Sequence, residues 1–396
     1  MDHPMNVCGR WCETGETITV SIDGEKISGV RAGASEADLG GPDVWISAGF
    51  FDLQLNGYGG YDFNVSAWGG ADEVRTDPAA VIRSVAHSGT ALLCPTFTTN
   101  SHEAICTGME ALCRTLDSDP QLRRAVPGIH LEGPYIASED GPRGAHPLEH
   151  VRDPDWDEFQ SFQEAAEGRI RLCTLAPERT GALRFIEQLT EAGVVVAIGH
   201  TGAEPETIRD AVLAGARLST HLGNGSHSQI RRHPNYIWEQ LACDELYASV
   251  IADGHHLPAP VLKSFVRVKG AERMALVSDT VALGGLPSSR YMSGRYEVLP
   301  SGKIVLAGTP YLAGAGHLMD TCVANTLRYT DLTIAQATRC AGAIPARILG
   351  LEGRKGHIGI GYDADMTLFR IGAEDRLEIV STLCGGTVVF KKENFV

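Results

Sequence analysis

The 396-residue chain has no apolar run approaching the length of a membrane span. Its opening, MDHPMNVCGRWCETGETITV, lacks the basic start and apolar core of a secretory signal. The expectation is therefore a cytoplasmic protein with no membrane partner. Cysteine pairs are missing too. Ten cysteines are scattered singly, and the nearest two, Cys8 and Cys12, have no second Cys or His pair to complete a zinc site. Reduced thiols fit that pattern better than a disulfide framework. Positive charge is in the minority: 34 Lys and Arg against 49 Asp and Glu give a formal net charge of −15. A nucleic-acid backbone is repelled by such a surface, so no nucleic-acid partner is expected. An acidic or phosphorylated small substrate would need local basic residues to hold it.

What is present is a 43% hydrophobic chain, long enough for one large domain and a smaller companion. ITVSIDGEKISGV (18–30) alternates apolar and polar residues around Asp23-Gly24, a hairpin signal. The other end repeats that style, with GYDAD leading into MTLF and a Gly385-Gly386 turn inside IVSTLCGGTVVF. Residues 1–46 and 351–396 are expected to join into one small β-sandwich domain. Between them, residues 47–350 carry eight strand-like runs separated by helix-like stretches: WISAGFFDLQL, TALLCPTF, VPGIHLE, IRLCTLAP, GVVVAIGH, RLSTHL, YASVIAD and MALVSD. That alternation predicts a parallel α/β architecture, a (β/α)8 TIM barrel whose chemistry sits where the strands end. GLPSSRYMSG (285–294) and LAGTPYLAGAG (306–316) are expected to be mobile loops.

The strand ends carry the polar residues. The first run stops at Gln54 and Asn56, the third at Glu132, the fifth at His200 and the sixth at His221. The seventh stops at Asp253, with His255 and His256 behind it, and the eighth at Asp279. Glu132, His200 and His221 give one carboxylate and two imidazoles on one rim, the three-ligand set that leaves a catalytic metal an open position. Taken singly, each His is as well explained as a buried imidazole and Glu132 as a helix cap; together they point to one divalent metal. Zinc comes first, and Fe²⁺, Mn²⁺ or Co²⁺ suit the same ligands. Asp279 could cap the next turn, but beside such a site it can take a proton from an attacking water and return it to a leaving amine.

These residues lie in AGFFDLQLNGYGG (48–60), HLEGPYI (130–136), RGAHPLEHV (143–151), TLAPE (174–178), AIGHTGA (197–203), STHLGNG (219–225), IADGHH (251–256), LVSDT (276–280) and GYDADMTLF (361–369). Through them the chain resembles the N-acetylglucosamine-6-phosphate deacetylases of the amidohydrolase superfamily, almost end to end. The resemblance implies a metal-dependent amide hydrolase that removes acetate from an amino sugar. It implies that Gln54 and Asn56 stand at a vestigial second metal position, where other amidohydrolases have His-x-His. It assigns catalysis to Asp279 and substrate contacts to His146, Asn224, Gly225 and His256. Arg232 is implied to reach a phosphate from the neighbouring subunit of a homodimer, a task its planar fork suits.

Three stretches depart from the family's pattern. After His221 the chain reads Gly223-Asn224-Gly225-Ser226-His227, with less bulk than the family's aromatic residue and Asn-Ala-Met. His233-Pro234-Asn235 replaces Glu-Pro-Gly, and Ala313-Gly314-Ala315-Gly316 replaces Ser-Gly-Ser-Ser. All three touch substrate rather than chemistry. A deacetylase of a different N-acetylated sugar, phosphorylated or not, and a non-catalytic scaffold both stay open at this point.

Overall fold

The computed structural model describes residues 4–64, 74–309 and 311–393. Eight strands form one parallel sheet in chain order: β1 (Phe50–Leu55), β2 (Thr90–Thr98), β3 (Ile129–Glu132), β4 (Ile170–Leu175), β5 (Val195–Ile198), β6 (Leu218–Ser219), β7 (Tyr247–Ile251) and β8 (Met274–Val277). Just past the strand ends Leu55 bridges Thr280 in parallel, and the Asp279 N–H donates to the Gln54 carbonyl at 2.9 Å, which brings β8 back to β1. Asp52 ties the same seam, accepting from the Ser278 N–H at 3.1 Å and from the Ser278 hydroxyl.

The strands alternate as a two-residue period requires. On β1, Phe51, Leu53 and Leu55 join the core under the helices, while Asp52, Gln54 and Asn56 take the other face. The interior below the rim is polar: the His130 imidazole contacts the Thr174 hydroxyl at 2.7 Å, and that hydroxyl contacts Thr220 at 2.7 Å. Burial pushes His130 down to about 4, so this layer is neutral. Helices cover the outside. His102–Ser118 starts where the Ser101 hydroxyl accepts the Ala104 N–H, and it buries Ile105, Met109, Leu112 and Leu116 at helical spacing.

The run WISAGFFDLQL is two strands rather than one. Leu39–Ala48 belongs to the small sheet, and β1 begins at Phe50. The chain changes direction at Gly49, where a Cβ would lie 2.5 Å from that of Ala91. The small sheet has seven strands, Lys26–Ala32 at one edge and Thr387–Lys391 at the other. N- and C-terminal strands meet where Leu39–Ala48 pairs antiparallel with Met366–Ile371. Both groups share one core, including Val7, Val20, Ile46, Met366, Leu368 and Val380. At its junction with the barrel the buried Lys355 ammonium lies 3.0 Å from Asp363 and 2.9 Å from Asp365, which accounts for the paired acids of GYDAD.

The stretch 285–294 is not all loop. Ser289–Tyr291 is the first strand of an antiparallel meander with Tyr296–Val298 and Ile304–Leu306. The Gly-rich stretch that follows packs closely: a Cβ on Gly314 would lie 2.4 Å from Val281, and one on Gly316 would lie 2.1 Å from the Gly302 carbonyl oxygen. Pro310, inside that stretch, lies outside the described residues. Among the described residues no helix is long and apolar enough to cross a membrane. All ten cysteines are free, and all but Cys106 and Cys243 are buried.

Candidate active site

Glu132 ends β3, while His200, His221 and Asp279 each stand two residues beyond the ends of β5, β6 and β8. Those last three have left-handed backbones, with φ of 50°, 28° and 49°. Such a conformation costs about 1–2 kcal/mol in a non-glycine residue and persists where surroundings over-determine it. The surroundings do so. The His200 carbonyl accepts the Ala137 N–H at 3.0 Å, the His221 N–H donates to Ser249 Oγ at 2.8 Å, and Asp279 is held by Gln54.

The three ligand-type atoms converge. His200 Nε2 and His221 Nε2 lie 3.2 and 3.0 Å from Glu132 Oε1 and 3.1 Å from each other. His200 Nδ1 is 2.9 Å from the Pro142 carbonyl, which as an acceptor fixes the proton on Nδ1 and leaves a lone pair on Nε2. Donors about 2.0–2.1 Å from a tetrahedral zinc stand roughly 3.3 Å apart, close to the spacing here. The donor set fits a divalent ion, and Glu132, His200 and His221 form a buried group that could hold one. Burial raises the Glu132 carboxyl; without an ion, protonated imidazoles donating to it from Nε2 overcome that and hold it well below the usual range.

Gln54 and Asn56 are engaged by this centre. The Gln54 NH₂ donates to Glu132 Oε1 at 2.7 Å and to Asp279 Oδ1 at 3.1 Å, and the Asn56 NH₂ donates to Asp279 Oδ1 at 2.8 Å. Burial, then the Glu132 charge, pushes Asp279 up to about 6. Without a cation beside it, a carboxyl there holds its proton more tightly than an exposed one.

These groups floor a cleft of about 780 Å³. His146 stands beside His200, ring centroids 4.3 Å apart, with Nδ1 2.8 Å from Thr99 Oγ1. Burial, then the neighbouring His200, pushes it down to about 3, so it is neutral. His256 lines the cleft with Nδ1 2.8 Å from Asp253, and Asp253 also accepts the His255 and His256 N–H groups at 2.8 Å. Asn224 and Gly225 form the next wall, and a Cβ on Gly225 would lie 2.8 Å from His200 Nδ1. Arg232 is the one expected site residue that the fold leaves away from its own cleft; it is exposed on the segment before helix Tyr236–Ala242.

Sequence reasoning assigned no role to Asp253, Thr99, Arg143, Arg295 or Tyr296. The Asp253–His256 spacing was a usable signal, since Asp and His three apart at a strand end can pair. Arg143 lies in the RGAH motif, where its guanidinium holds the His146 carbonyl at 2.8 Å and pairs with Asp140. Arg295 and Tyr296 reach the cleft from the meander, which has no pattern pointing to it.

Residues 45–389 match the Amidohydrolase family. N-acetylglucosamine-6-phosphate deacetylase of Bos taurus is 33% identical over 372 residues, covering 92% of this chain and 87% of that protein. The chain belongs to the N-acetylglucosamine-6-phosphate deacetylase family of amidohydrolases. The human member is likewise 33% identical, over 88% of this chain and 84% of its own. A mutant of the Mycobacterium smegmatis deacetylase, solved with N-acetyl-D-glucosamine 6-phosphate, superposes with a TM-score of 0.85 at 28% identity, over 98% of this chain and 100% of that one. The Thermotoga maritima member gives 0.82 at 25% identity over 99% of each chain. A D-hydantoinase at 14% identity and TM-score 0.61 shares the fold alone.

Proposed function

We propose that this chain hydrolyses the acetamido bond of N-acetylglucosamine 6-phosphate, giving acetate and glucosamine 6-phosphate. The observation that carries this reading is the convergence of Glu132, His200 and His221 within 3.2 Å, with Asp279 tied to the same centre through Gln54, in a chain of this family. Glu132, His200 and His221 would hold one divalent ion, zinc in the first instance. When bound, the ion supplies Lewis acidity to an acyl oxygen and acidifies water.

The chain's own residues do the rest. Asp279 takes a proton from the attacking water and returns it to the nitrogen as the C–N bond breaks, without which the amine leaves poorly. That carboxyl stands at about 6 without a cation beside it, and a cation favours the anion that takes the first proton. In this role His146 accepts the Thr99 hydroxyl proton at Nδ1, 2.8 Å away, and uses Nε2–H as the donor to the acetyl oxygen. His256, held by Asp253, and the 224–225 backbone contact the sugar or its phosphate, and Arg232 reaches a phosphate across a homodimer. The site of action is the cytoplasm, where a phosphorylated sugar is retained.

The loops at 223–227, 233–235 and 313–316 favour one second reading, a deacetylase for a related N-acetylated sugar. Acetate release by purified, metal-analysed protein, with N-acetylglucosamine 6-phosphate and N-acetylglucosamine in parallel, separates the two. Turnover of the phosphorylated sugar alone supports the first. Turnover of neither, with metal bound, overturns it.

A further inference from the structure

An amide oxygen at the floor of the cleft has no partner among the described residues. Asn56 is 5% exposed, and its Oδ1 is buried with no hydrogen bond among the described residues. Everything else on the residue is used: the NH₂ donates to Asp279, the backbone N–H donates to Thr280 at 2.9 Å, and the carbonyl accepts from Phe63 at 3.0 Å. An unmet buried carbonyl costs about 1–3 kcal/mol, and such a group persists where something else supplies the donor. Asn56 lines the cleft, so that donor comes from what the cleft holds.

The geometry specifies the donor further. Oδ1 shares its carbon with the NH₂ that grips Asp279, so the empty acceptor sits next to the group that must protonate the leaving nitrogen. A secondary amide nitrogen has one N–H and, as the carbonyl carbon becomes tetrahedral, one lone pair. With the N–H held on a neighbouring acceptor, that lone pair turns toward the acid. Resting on the deacetylase reading, we infer that Asn56 Oδ1 accepts the N–H of the scissile acetamido group and so aims its nitrogen at Asp279. The pair at 54 and 56 is then a working element. Gln54 holds Glu132 and Asp279, and Asn56 holds Asp279 and also reads the substrate's nitrogen.

The test compares the N-acetyl sugar with its O-acetyl ester analogue, which has no N–H, in wild type and Asn56→Ala. Removing the side chain loosens Asp279, which by itself slows the amide more than the ester; Gln54→Ala also takes an NH₂ donor from Asp279 but leaves Asn56 Oδ1 in place, so it measures that part alone. The expected result is that the amide's excess loss of kcat/KM over the ester is at least 10-fold greater in Asn56→Ala than in Gln54→Ala, with metal content unchanged, and an excess no greater than that of Gln54→Ala overturns the inference. Asn56→Ser, a smaller change, serves if the Ala variant does not fold. Equal falls for amide and ester overturn the inference. So does a drop from two bound ions to one, which makes Oδ1 a metal ligand. If wild type turns over neither compound, the deacetylase reading has failed instead, a result distinct from equal falls.

Discussion

The two sides of the cleft are built differently. On the catalytic side Glu132, His200 and His221 are buried and Asp279 is half-buried, three of the four have left-handed backbones, and short contacts within the centre link all four. On the substrate side stand glycines, backbone groups and partly exposed residues such as Arg295 and Tyr296, with Leu312 and Gly314 between. A centre so interlocked tolerates little change. A wall of glycines and long surface side chains can vary while the chemistry stays.

The largest expected effect breaks the catalytic side outright. Stripping the divalent ion with a chelator abolishes acetate release, and returning zinc restores it. Next comes Asp279→Asn, which lowers kcat by about 10³-fold with the ion still bound, checked by steady-state kinetics beside metal analysis. Asp279 acts as its anion, so the wild-type rate falls as pH drops through its pKa. That value is about 6 without a cation beside it, and a bound cation favours the anion. The acid limb therefore lies at or below pH 6, and it disappears in Asp279→Asn.

Where the two sides touch, effects are intermediate. Gly225→Ala places a Cβ 2.8 Å from His200 Nδ1 at a φ of 54°, and it should cost about 1–3 kcal/mol of stability, read as a lowered Tm. Asp253→Asn releases His256 and raises KM roughly 10-fold with kcat little changed, one lost charged hydrogen bond. The smallest effect belongs to the far edge of the substrate side. There His227 Nε2 lies 3.1 Å from the exposed Glu139, and Glu139→Gln should alter stability by less than about 1 kcal/mol.

Legibility in the sequence follows the same division. The barrel was readable because parallel strands buried on both faces read as apolar runs with polar residues at alternate inward positions, as in FFDLQLN. The rim was readable because those runs stop at His, Glu and Asp. Gly49 was not readable as a break: the apolar pattern continues through it as the chain passes from one sheet to the next. Nor was the meander, whose three-residue strands are too short for periodicity to emerge. Arg295 and Tyr296 reach the cleft through that meander, so their place depends on long-range packing. Asn56 was visible as a departure from His-x-His, while its unpartnered oxygen required the atoms around it.

The central claim is that one ion on Glu132, His200 and His221, served by Asp279, carries the hydrolysis. It is tested most directly by measuring bound metal and acetate release together, for wild type and Glu132→Gln, with N-acetylglucosamine 6-phosphate. The account predicts one divalent ion per wild-type chain with rapid release, and both lost in the variant. A variant that keeps its ion and its rate would contradict it.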